Sequence, residues 1–98
     1  MQYVNFDGTV ATVRVAGKYT LVNTQDVIKQ LESVFRNGCT KVCVDLSETT
    51  YIDSSVVRDC SKLYYKLGET VDNFWFVGPQ GRVRAALIGM GLGKLIKE

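Results

Sequence analysis

The 98-residue sequence predicts an α/β fold. A mixed sheet opens with an antiparallel hairpin, continues in parallel βαβ units and is covered by about three helices. Three patterns predict it. Two stretches place apolar residues at helical spacing, several short stretches alternate or run apolar in the manner of strands, and the two kinds take turns along the chain.

Tyr3 to Phe6 reads as a short strand, and Asp7-Gly8 is a two-residue hairpin signal. From Thr9 to Ala16, Ala11, Val13 and Val15 take one face while Val10, Thr12 and Arg14 take the other, with Gly17 ending the strand. The period then changes. Val27, Ile28, Leu31, Val34 and Phe35 share one face of a helix that Asn23 or Thr24 caps, with Asp26 in its first turn, and that Asn37-Gly38 stops. Val42 to Leu46 is a nearly continuous apolar run, as in a parallel strand buried on both faces. Ser47 to Thr50 makes a loop, and Tyr51-Ile52 returns the chain to the core.

A second helix runs from Asp53 or Ser54 to Leu67, closed by Gly68, with Val56, Val57, Cys60, Leu63, Tyr64 and Leu67 on its apolar face. Phe74 to Val77 is a third buried strand ended by Gly78-Pro79, with Trp75 in the core between Phe74 and Phe76. A short third helix from Gly81 lines up Val83, Ala86, Leu87 and Met90, and Lys94 to Lys97 adds a last short strand. Lys18-Tyr19, Arg82 and Arg84 read as solvated surface, and Tyr65 as outward-facing. The whole chain, residues 1–98, is expected to form one domain.

Composition narrows the function. Twelve basic and ten acidic residues leave a net charge of +2 without a basic cluster, which argues against nucleic acid as a partner. No apolar run approaches the roughly 20 residues of a membrane span, and the N-terminus lacks a signal-peptide layout. The expected location is the cytoplasm, without membrane insertion. Cys39, Cys43 and Cys60 are an odd number without a framework, and fit free thiols acting as small hydrophobes. Histidine is absent. That excludes the Ser-His-Asp and Cys-His nucleophile arrangements and removes the commonest general base and metal ligand. No catalytic residue, metal site or cofactor is expected. Asp45, Glu48 and Asp53 have no spacing that would make them an acid/base set, and Gly89 to Lys94 lacks the spacing of a phosphate-binding loop.

Asp53-Ser54-Ser55 is the most informative segment, at the junction of a loop with the second helix. Two readings fit. Asp53 or Ser54 caps the helix, worth typically about 1 kcal/mol. Alternatively, a phosphate on Ser54 would meet free N–H groups at the positive end of the helix dipole and add about −1.5 to −2 of charge. Arg58, four residues on, lies on the same exposed face and could steady that phosphate, while Asp53 repels it.

The segment Val42 to Ser55, with its apolar strand, Asp45-Leu46-Ser47, short loop and Tyr51-Ile52-Asp53-Ser54-Ser55, resembles the signature of the STAS domain family. It is similar in particular to the anti-sigma factor antagonists. The resemblance extends over nearly the whole chain, including Gly17, the helix after Asn23, the Pro79 turn and Gly91-Leu92-Gly93-Lys94-Leu95. It implies that Ser54 is phosphorylated by a partner that is both a protein kinase and an anti-sigma factor. Only the unmodified form would bind that partner and free the sigma factor, and a phosphatase would reset it. Asp53 and Ser55 would support the phosphosite. The kinase would bring ATP and magnesium, so this chain needs no cofactor, and it is expected to be a monomer or weak dimer. Where the family has a small residue, Leu and another small residue, this chain has Val56, Val57 and Arg58, which alters how closely a partner approaches. The many members' C-terminal helix has no counterpart before Glu98. STAS-like domains also serve as scaffolds or accessory subunits in stress-signalling and lipid-transport assemblies, which makes that the alternative. Nucleotide binding ranks last, since no glycine loop or acidic metal set supports it.

Overall fold

Small and branched residues at every second position fit a pleated surface with one dry face. The hairpin of β1 (Gln2–Phe6) and β2 (Val10–Val15) realises that pattern, with Ala11, Val13 and Val15 fully buried. The computed structural model describes residues 2–97. Phe6 faces Ala11, and Asp7 N donates to Val10 O at 3.3 Å, so Gly8-Thr9 forms the turn rather than Asp7-Gly8. Gly8 has φ +96°, and Asp7 Oδ1 accepts from Thr9 N and Val10 N at 2.9 and 2.8 Å. The aspartate closes the turn from outside, and the glycine supplies the left-handed backbone inside it.

β2 ends at Val15, just before Gly17, but a further strand follows that the sequence did not announce. Gly17–Tyr19 forms β3, which pairs in parallel with β5 (Thr49–Ile52) as a separate two-stranded sheet. Thr49 Oγ1 donates to Val15 O at 2.6 Å and Gly17 N to Glu48 O at 2.9 Å, tying this small sheet to the end of β2. Tyr19 is buried here, not solvated, and Tyr51 points outward, leaving Ile52 to enter the core.

α1 (Leu21–Arg36) starts earlier than its apolar stripe suggests. Thr20 is the N-cap, and Asn23, three residues on, accepts from Thr20 N at 2.9 Å and from its hydroxyl at 3.3 Å. Thr24 is thereby buried inside the helix, and Asp26 falls in the second turn. Asn37 and Gly38 end it as expected. β4 (Lys41–Asp45), α2 (Ser54–Lys66), β6 (Phe74–Val77), α3 (Gly81–Gly89), a 3₁₀ turn and β7 (Ile96–Lys97) follow.

The main sheet has the order β1-β2-β4-β6-β7, antiparallel at β1/β2 and parallel elsewhere. Val27 and Leu31 of α1, Val56, Cys60 and Leu63 of α2, and Val83 and Leu87 of α3 join one core with Ala11, Val13, Val42, Val44, Phe74 and Phe76. All three helices therefore cover the same face. The opposite face carries Thr12, Arg14, Cys43, Asp45, Trp75 and Lys97. Trp75 is only half-buried there, beneath Lys97 Nζ at 4.2 Å from its ring centre, and Arg14 pairs with Asp45 at 3.0 Å. β4 is buried on both faces, as its apolar run predicts, with Val42 and Val44 beneath the helices and Cys43 buried on the opposite side. Trp75, expected in the core, is only half-buried on that opposite side, which is a correction. Met90, expected on the apolar face of α3, is its exposed C-cap. The three cysteines are free and buried.

Candidate functional site

β5 delivers the chain to the start of α2. Ile52 anchors it in the core, and Asp53 follows in extended backbone as the N-cap. Its two carboxylate oxygens divide their work. Oδ1 accepts from Val56 N at 3.1 Å, capping α2, while Oδ2 accepts from Leu21 N at 3.2 Å, the first N–H of α1. One side chain thus holds the starts of two helices together. A second polar link lies one turn deeper, where buried Thr24 Oγ1 donates to Asp59 Oδ2 at 3.3 Å.

Ser54 is the first residue of α2 and is exposed, and its hydroxyl has no hydrogen-bond partner among the described residues. Capping therefore falls to Asp53 and leaves Ser54 chemically free. Ser55 beside it is half-buried. Val56 N is taken by the cap and Val57 N bonds to Asp53 O at 3.4 Å. The N–H groups of Ser54 and Ser55 are the ones that an oxygen arriving at this end can meet. Arg58 is exposed one turn on, without an ion-pair partner among the described residues. Val56, by contrast, is 3% exposed and belongs to the core, so of the departures from the family pattern it is Arg58 that changes the surface.

The surroundings are apolar and open. Leu21 and Val22, at the start of α1, are 44% and 75% exposed, and Tyr51, two residues before Asp53, is 46% exposed. Leu21 is held against Asp53 by the bond just described. On the other side Tyr51 and Arg82 rim a small notch of about 160 Å³ between β5 and α3. Sequence reasoning missed Leu21 and Val22 because it capped α1 at Asn23 or Thr24, three or four residues too late. The Thr20-x-x-Asn23 spacing is the signal that marks the true start. Among the described residues no group of three acidic, cysteine or histidine side chains is placed to hold a metal ion, and no helix is long and apolar enough to cross a membrane.

A family model described as "Mlab, STAS domain" matches residues 3–97. The chain belongs to the STAS domain family. This STAS domain is similar in fold to the anti-sigma factor antagonist SpoIIAA in its unphosphorylated form, with a TM-score of 0.86 at 17% identity over 99% of this chain and 86% of that one. It is similar also to the phosphorylated form of SpoIIAA, a Bacillus cell fate determinant, with a TM-score of 0.77 at 16% identity over 99% of this chain and 89% of that one. A protein of the DUF3478 family from Shewanella loihica, described as having a SpoIIAA-like fold, matches with a TM-score of 0.58 at 17% identity over 92% of this chain and 75% of its own. No curated protein matches the chain by sequence. At these identities the likeness establishes the fold of this STAS domain, with its antiparallel opening, parallel remainder and three helices.

Proposed function

We propose that this STAS domain is a non-enzymatic, cytoplasmic binding switch of the anti-sigma factor antagonist type. It binds an anti-sigma factor with protein kinase activity while Ser54 is unmodified, and so frees a sigma factor. Phosphate on Ser54 breaks the complex, and a phosphatase restores it. The observation that carries this reading is the free, exposed Ser54 hydroxyl beside Asp53, with exposed Leu21 and Val22 at the start of α1, which Asp53 holds, and exposed Tyr51 three residues before Ser54. Those apolar side chains favour a protein partner, and a dianion on Ser54 would have to be desolvated when the partner docks. A penalty of about 4 kcal/mol weakens binding roughly a thousandfold. Asp53 and Ser55 flank the phosphosite, and Arg58 meets the phosphate from the next turn. The absence of histidine and the fold shared with an anti-sigma factor antagonist solved in both phosphorylation forms support the reading.

The test is a pull-down from host lysate with wild type, Ser54→Ala and Ser54→Asp, the partners identified by mass spectrometry. A kinase-like partner held by wild type and Ser54→Ala, and weakened at least a hundredfold by Ser54→Asp in a follow-up titration, is expected. A kinase-like partner bound equally by all three would sink the switch. The second reading is a scaffold or accessory subunit of a stress-signalling or lipid-transport assembly, roles that STAS-like domains also serve, with contacts that do not depend on Ser54. Recovery of a membrane ATPase with all three baits would establish that one instead.

A further inference from the structure

α1 and α2 lie side by side over the sheet, touching through their buried stripes, and their outer flanks part to leave a groove of about 560 Å³. That volume lies within the roughly 300–1,000 Å³ typical of small-molecule sites. Its floor is apolar, made of Ile28 and Phe35 from α1 and Leu63 from α2. Its rim is cationic: Lys29 on one side, Lys62 and Lys66 on the other.

These lysines are not neutralised. Lys29 and Lys62 form no ion pair among the described residues, and Lys66 Nζ stands 4.7 Å over the Phe35 ring instead of on a carboxylate. The lining has two acids. Asp59 is turned inward, accepting from Thr24, and Glu32 alone remains against three ammonium groups. An apolar floor under an unbalanced cationic rim suits a ligand with an unbranched hydrocarbon tail and a single anionic head. The tail would exclude water from Ile28, Phe35 and Leu63, and the head would draw the mobile lysines onto itself.

We infer that the groove between α1 and α2 binds a medium-chain fatty carboxylate. The site is separate from Ser54. Its lining starts at Gln25 on α1 and at Asp59 on α2, a turn or more beyond the Ser54 helix start. It therefore stands or falls independently of the switch.

The experiment titrates the intact ¹⁵N-labelled chain with sodium decanoate below its micelle concentration, following amide shifts. Decanol, decyltrimethylammonium and inorganic phosphate serve as the neutral, cationic and tail-less comparisons. Saturable shifts confined to residues 25–35 and 59–66 are expected, with decanoate binding at least tenfold tighter than decanol and no saturable response to the cation or to phosphate. The Lys29→Gln, Lys62→Gln, Lys66→Gln variant alters only exposed positions and should keep the wild-type spectrum while losing at least tenfold in decanoate affinity. Equal binding of decanol, binding indifferent to the triple variant, shifts centred elsewhere such as around Trp75, or no saturable shift would each overturn the inference.

Discussion

Asp53 holds two backbone N–H groups that no helix can satisfy by itself, one at the third position of α2 and one at the first position of α1. Asp53→Ala should therefore cost more than a single cap, about 1.5–3 kcal/mol if two modest hydrogen bonds are lost. Asp53→Asn, which keeps one acceptor oxygen, should cost roughly half as much. Urea unfolding checks this: midpoints fall in that order at constant slope, and an alanine variant as stable as wild type would show that the bonds contribute little. At this scale the sequence was partly legible. Asp53-Ser54-Ser55 stood out because oxygen-rich residues precede an apolar stripe, and Ser54 is indeed the first helical residue. The second partner of Asp53 was invisible, since nothing local connects it with Leu21.

Among the elements, the turn after β6 is the most tightly constrained. Gly78 has φ +73°, and a Cβ there would stand 3.0 Å from Ser47 Cβ and 3.2 Å from Ser47 Cα. The loop after β4 packs directly on the glycine, so Gly78→Ala meets both a left-handed backbone and a clash. A loss of about 2–4 kcal/mol is expected, combining strain of order 1–3 kcal/mol with displacement of Ser47. Thermal unfolding reads it, and a melting temperature within a degree of wild type would contradict the account. The long amphipathic helices and the Phe74-Trp75-Phe76-Val77 strand were legible because their periods repeat. β3 was not, because three residues are too few to show a period. That is why Tyr19 passed for surface. The apolar run of β4 suggested two covered faces, but a strand cannot reveal what covers it. Helices cover one face, while the other is shielded by the long side chains of Arg14, Trp75 and Lys97 on neighbouring strands.

The molecule as a whole should lose stability at both ends of the pH scale, for different reasons. Burial raises the Asp45 carboxyl, but the Ser47 hydrogen bonds and the Arg14 charge outweigh it and leave its pKa lowered. The stabilisation is therefore present at neutral pH and is lost as pH falls through the folded value. In Arg14→Gln the acid limb should be shallower. The Cys60 thiol is pushed up to about 12 by burial, with the nearby Asp59 charge adding to it, from an ordinary value of 9.0. The unfolded chain releases this proton first, so stability falls between about pH 9 and pH 12, by at most about 1.4 kcal/mol per pH unit from this group. Cys43 and Tyr19 are shifted in the same direction, so Cys60→Ala should flatten the alkaline limb without abolishing it. Denaturant titrations across pH test both limbs, and unchanged slopes in the two variants would refute the assignment. The bridge at Asp53 also has a readout of its own. An amide at the first position of a helix ordinarily exchanges its hydrogen with water freely, but that of Leu21 is held by a carboxylate 32 residues away. Its protection reports whether Asp53 bridges the starts of α1 and α2, so one backbone proton reads out that link directly.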